Sequence, residues 1–158
     1  MDKIIGDLLQ DDLVIAEIKA TDKIGVIREC AGILQATGRV TDTEALVRVL
    51  LERESRDSTG IGDGVAIPHG RFSFISNMVV AFGRSSQGVD FQSLDAKPVY
   101  LFFLLVAPDN KPGDLLKALA RITRMLKNPV LRENLKRTSD RQELKRLIYE
   151  ADSNYPQK

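Results

Sequence analysis

The stretch "PVYLFFLLVAP", Pro98 to Pro108, restricts the fold more than any other part of the chain. Between its two prolines every residue is apolar or aromatic, so it has no polar face to turn to solvent. It is far too short to cross a bilayer as a helix, which takes about 20 residues. An uninterrupted short run of valine, leucine and phenylalanine fits a strand buried on both faces. Such a strand lies inside a sheet covered by helices on each side, so the expected architecture is α/β.

The other layers follow from local pattern. "NMVVAFGRS" (Asn77 to Ser85) is rich in β-branched and aromatic residues and reads as a second strand. "LVIAEI" (Leu13 to Ile18) is a briefer strand-like run, and a small strand is expected at Val89–Phe91. Ile4, Ile5, Leu8 and Leu9 suggest a short opening helix. Ile24, Ile27, Ala31 and Leu34 recur at helical spacing after a Thr21–Asp22 cap and stop near Gly38. "TDTE" (Thr41 to Glu44) has the spacing of a capping box and opens a helix that runs to Arg53 or Glu54. From Gly113 the pattern is helical again, until Asn128–Pro129 breaks it and starts a short helix through Leu135. "SDRQ" (Ser139 to Gln142) is a second capping box, leading into Leu144, Leu147 and Ile148. Residues 153–158 are expected to form a frayed tail. No repeat or linker divides the 158 residues, so the expectation is one domain with a mixed sheet of about five strands between helices.

Composition narrows the function. Twenty-three basic residues against 22 acidic ones give a net charge of +1, which offers no basic footprint for nucleic acid or an acidic membrane. The start "MDKIIGDLLQDD" lacks the basic flank and apolar centre of a signal peptide, so a cytosolic protein is expected. Cys30 is the single cysteine; with no partner for a disulfide or a zinc site, it reads as a small buried residue.

What remains is "STGIGDGVAIPHG", Ser58 to Gly70, which holds four glycines and the only histidine of the chain. A neutral imidazole is a good nucleophile near pH 7 and can carry a covalent group. To accept a phosphoryl group it needs donors for the oxygens, a cation against the charge and a contact that orients the ring. Gly60, Gly62 and Gly64 let successive N–H groups form an anion-binding nest, and Ser58 and Thr59 add hydroxyls. Pro68 biases Ile67 towards an extended conformation. Arg53, Arg56 and Arg71 are the local candidates for a bidentate phosphate contact. An ordinary glycine-rich loop with a structural histidine is the competing explanation. The stretch is not a dinucleotide fingerprint, because it follows a helix, and it lacks the Gly-Lys-Ser/Thr of a Walker A loop. One histidine without nearby cysteine does not make a metal site, and no serine sits in a nucleophile elbow.

The longer segment "RESRDSTGIGDGVAIPHGRF" (Arg53 to Phe72) resembles the active-site segment of enzyme IIA domains of the bacterial phosphoenolpyruvate-dependent phosphotransferase system. The resemblance is to the fructose/mannitol class, nearest its nitrogen-regulatory type, and extends over nearly the whole chain, residues 1–152. It implies a mixed five-stranded sheet flanked by helices, with no cofactor. It also implies that His69 accepts a phosphoryl group from a histidine-containing phosphocarrier protein and that Arg53 steadies it. A IIB domain or a regulated target is the implied further partner.

This chain departs from the family pattern twice. Asp63 stands where many members have asparagine. Leu115, between Asp114 and Lys117, stands where members usually have a second histidine that helps to stabilise the phosphohistidine. The first functional expectation is a regulatory phosphotransfer protein. A sugar-specific enzyme IIA is the alternative within the family, and a non-catalytic interaction module that kept the fold is the alternative outside it.

Overall fold

The structure is a computed structural model and describes residues 5–154. The expected contribution of Ile4 to the first helix and the tail beyond Asn154 lie outside these residues. The long apolar run forms strand β6, Val99–Ala107, the centre of a six-stranded sheet. From Leu101 to Ala107 no residue of β6 is more than 1% exposed, so both of its faces are covered. On one edge it pairs antiparallel with β5, Val79–Val89, from Val79↔Val106 to Arg84↔Leu101. The far side of β5 carries β1, Val14–Ile15, in parallel.

The other edge of β6 is built from the glycine-rich stretch. It makes three short strands, β2 (Gly60–Gly62), β3 (Val65–Ala66) and β4 (His69–Arg71). β3 and β4 lie parallel to β6 one after the other, with Val65↔Leu101 and His69↔Leu105 in register. β2 turns back antiparallel on β3. The expected five strands are thus six, and the expected loop is mostly sheet. Glycine has little intrinsic strand preference, but the exposed edge of β6 supplies amide and carbonyl partners that override it.

Two helical groups pack against the sheet. One is α2 (Lys23–Ala36) with α3 (Thr43–Arg56); the other comprises α1 (Ile5–Leu8), α4 (Pro112–Met125), α5 (Pro129–Arg137) and α6 (Arg141–Ser153). Both capping boxes are displaced by one residue. Asp42, not Thr41, accepts from Ala45 N, and Asp140, not Ser139, accepts from Glu143 N. Asp22 caps α2 in the same way, through Gly25 N. A carboxylate both accepts this hydrogen bond and meets the positive end of the helix dipole, an advantage the neighbouring hydroxyls lack.

The remaining differences are local. Val89 ends β5, and Asp90 forms only an isolated bridge to Asp22, so no separate strand stands at Val89–Phe91. Leu13 belongs to a single 3-10 turn, Asp11–Leu13, and the strand after it has two residues. Ser153, the first residue of the expected tail, is still helical.

Candidate functional site: a half-buried imidazole at the end of α3

The site forms where α3 crosses β4. A Cβ on Gly70 would stand 2.9 Å from Val49 Cγ1 and 3.6 Å from Leu50 Cδ2, so only a glycine lets the helix come this close. Residues four apart share a helix face. Arg53 and Glu54 therefore follow Val49 and Leu50 one turn later and arrive beside His69, the neighbour of Gly70.

His69 is half-buried on β4. Its Nδ1 lies 2.8 Å from the carbonyl oxygen of Ile67. A carbonyl only accepts, so Nδ1 carries the proton and donates it, and Nε2 is left with the lone pair. Burial of the ring lowers its pKa from the ordinary 6.5 and outweighs the opposing hydrogen bond to Ile67. The positive charge of Arg53 lowers it further, against the negative charge of Glu54. The ring is accordingly neutral and nucleophilic at pH 7.

This direction has a measurable sign. A folded-state pKa below the unfolded value means that the unfolded chain binds the proton more readily. The contribution to stability is therefore complete above pH 6.5 and is lost as pH falls through the folded value. A ring titration by NMR is expected to give a midpoint below 6.5 in the folded protein and near the ordinary value in urea.

Of the three arginines proposed as phosphate ligands, Arg53 is the one whose charge acts on the ring. Its Nη1 donates to the carbonyl of Asp57 at 2.9 Å, one of the five N–H donors of the guanidinium fork. Arg56 is exposed and reaches back along its own helix to Glu52 Oε1 at 3.1 Å. Arg71 is exposed at the end of β4.

The donors expected from Ser58 to Gly64 are mostly engaged elsewhere. Thr59 is buried, and both its amide, at 3.2 Å, and its hydroxyl donate to the carboxylate of Glu54. Ser58 Oγ donates to the carbonyl of Phe91 at 3.0 Å and accepts from Gly60 N at 3.1 Å. Thr59 nevertheless lies close to the site, because its carbonyl accepts from Ile67 N at 3.0 Å.

Gly62, Asp63 and Gly64 form the tip of the β2–β3 hairpin, and all three have positive φ (104°, 57° and 79°). The Asp63 amide donates to Asp95 Oδ2 at 3.1 Å, so a carboxylate already occupies this turn. The carbonyl of Gly64 accepts from Tyr100 N and Leu101 N, which places the tip at the start of β6. His69 is in register with Leu105, about 13 Å further along that strand. The hairpin tip and the imidazole are therefore not brought together.

Leu115 is buried in the first turn of α4, flanked by the exposed Asp114 and Lys117. Among the described residues no group of three or more His, Cys, Asp or Glu side chains is arranged to hold a metal ion. No helix there is long and apolar enough to cross a membrane. Cys30 is buried in α2, and burial pushes its thiol up to about 12.

Sequence reasoning missed Glu54, whose buried carboxylate holds Thr59 and also pairs with Lys23 Nζ at 2.9 Å. It also missed the role of the Ile67 carbonyl, although Pro68 pointed to a fixed backbone there. Nothing in the order of residues links Lys23 to Glu54 across 31 positions; only the packing of α2 on α3 does.

Comparison with known proteins places the chain in a family. A nitrogen regulatory protein of Bradyrhizobium diazoefficiens is 37% identical over 139 residues, which cover 87% of this chain and 90% of the relative. The fructose-specific EIIABC component of Bacillus subtilis is 37% identical over 131 residues, 83% of this chain but only 21% of that longer protein. The crystal structure of nitrogen regulatory protein IIA-Ntr from Neisseria meningitidis superposes with a TM-score of 0.84 at 30% identity, covering 91% of this chain and 98% of the other. The family model that matches residues 7–151 is described as the EIIA 2 component of the phosphoenolpyruvate-dependent sugar phosphotransferase system. A sheet edge that presents one neutral imidazole beside an arginine is thus found in a chain that belongs to this family of phosphotransfer domains.

Proposed function

We propose that His69 is the phosphoryl acceptor, that its donor is a histidine-containing phosphocarrier protein, and that the role is regulatory. The observation that carries the assignment is the Nδ1–H···O=C bond to Ile67, which leaves the Nε2 lone pair free next to Arg53. In the transfer that lone pair forms an N–P bond while the donor's N–P bond breaks and its electron pair returns to the donor ring. The His69 ring then carries a positive charge, with the Nδ1 proton held against the Ile67 carbonyl. Onward transfer reverses these events and releases the ring in its original neutral form. The protein's part is to position the groups and to offset charge. Arg53 supplies the cation.

Incubation with phosphoenolpyruvate, enzyme I and the phosphocarrier is expected to give an acid-labile label on His69. Label at any other residue, or no label, overturns the assignment. Arg53→Ala is expected to slow labelling about 100-fold while the fold persists. An unchanged rate removes Arg53 from the site.

The regulatory reading is supported by the nitrogen regulatory relative, which this chain covers nearly end to end. The fructose-specific relative supports a second reading, in which the phosphoryl group passes to a IIB domain. Labelled protein mixed with membranes and fructose or mannitol separates the two. Retention of the label supports regulation, and sugar-dependent discharge supports transport.

A further inference from the structure

Glu54, one residue from Arg53, is buried with its side chain only 4% exposed, and its carboxylate engages two other parts of the chain. On one side it accepts from the amide of Thr59 at 3.2 Å and from the Thr59 hydroxyl. On the other it pairs with Lys23 Nζ, 2.9 Å away at the first residue of α2. Lys23 is itself fixed, since its ammonium lies 4.8 Å from the centre of the Phe91 ring. A buried carboxylate beside a phosphoryl acceptor is a liability unless it is compensated, because two like charges would then face each other. Lys23 supplies that compensation.

The consequence for Arg53 follows the chain. α3 ends at Arg56, and Asp57 leaves it in an extended conformation. The Asp57 carbonyl, which holds Arg53 Nη1, is therefore placed by where the chain goes next. It goes to Thr59, which Glu54 clamps back onto the end of the helix.

We infer that Glu54, neutralised by Lys23, is a positioning residue for the phosphoryl site: it fixes the 57–59 turn and through it the guanidinium of Arg53 beside His69. The inference rests on the assignment of His69 and Arg53 above. Glu54 touches neither the phosphoryl group nor the imidazole in this account. Its charge acts on the ring less than that of Arg53 does, and its positioning action runs through Arg53.

That gives a test which a purely structural role would not pass. Phosphorylation of His69 is measured with phosphoramidate, a donor that needs no protein docking. Its P–N bond breaks, with ammonia leaving, as the bond to Nε2 forms. Glu54→Gln is expected to slow the rate per folded molecule about 10- to 100-fold. In Arg53→Ala protein the same change is expected to add no more than about twofold, because the group it positions is already gone. With the phosphocarrier as donor, Glu54→Gln is expected to lower kcat and leave KM unchanged.

If wild-type protein takes no label on His69, the functional assignment fails. If it does, and Glu54→Gln is as fast as wild type or slows Arg53→Ala by the full factor, the positioning role is overturned. Should Glu54→Gln not fold, Thr59→Val, which removes only the hydroxyl link, decides in its place. Slower labelling that Thr59→Ser restores supports the clamp, and an unchanged rate refutes it.

Discussion

His69→Ala protein is expected to take up no phosphoryl group above background from any phosphohistidine donor and still to fold. The loss is complete because the chain contains no other imidazole, so no second ring can stand in as nucleophile. The fold is expected to survive because the ring is only half-buried, and its hydrogen bond is with the Ile67 carbonyl two residues back in the chain. Removing a side chain of this kind costs about 1 kcal/mol, well within the stability of a domain this size. The measurement is acid-labile label alongside a denaturation curve. His69→Gln serves as a companion, since it keeps a polar group of similar reach without a nucleophilic lone pair. Label that persists on either variant places the chemistry elsewhere in the chain.

Asp152→Ala has the opposite profile, a large loss of stability with the site chemistry spared. Asp152 is wholly buried near the end of α6. One carboxylate oxygen pairs with Arg121 Nε from α4, and the other accepts from the amide of Gly6 in α1 at 3.0 Å. The carbonyl of the same residue accepts from Arg121 Nη2 at 3.1 Å. Truncation takes the carboxylate away from a buried guanidinium, which keeps the backbone carbonyl of residue 152, and leaves the Gly6 amide without its acceptor. Breaking a buried pair in this one-sided way costs about 3–5 kcal/mol. For a domain of this length that corresponds to a fall in Tm of roughly 6–20 °C. The variant is expected to remain competent for phosphoryl uptake at temperatures where it is folded, because the pair links α1, α4 and α6 and His69 stands on β4. A loss below about 1 kcal/mol in urea denaturation would mean that the pair is not a keystone of the three-helix contact.

How much of this could be read in advance depended on whether a residue's partner is near in sequence. β6 was legible because burial on both faces leaves a pattern without polar interruptions. The helices were legible because their apolar residues recur at helical spacing. Their caps were legible only to within a residue, since Thr41–Asp42 and Ser139–Asp140 each put two acceptors side by side. The pairing of β3 and β4 with β6 was not, because a glycine-rich strand is created by the edge it meets and not by its own side chains. The same holds for the site. His69 and Arg53 stand out as residue types, but Thr59 looked like a phosphate donor until its partner Glu54 was placed. Of the anion nest expected from Gly60, Gly62 and Gly64, the last two belong to a turn closed by Asp95, a residue 32 positions away from Asp63.

The hydrogen bond from Gly6 to Asp152 has a consequence for how such a domain is housed. It ties the first and last described helices at one spot, so the two ends of the described chain lie side by side. A unit with adjacent ends fits into a longer polypeptide as an insertion, with entry and exit at a single point and no strain on its interior. The imidazole sits on the opposite edge of β6 from β1, the strand on which α6 packs. The relatives show both settings, since the match covers 90% of the nitrogen regulatory relative but 21% of the fructose-specific one.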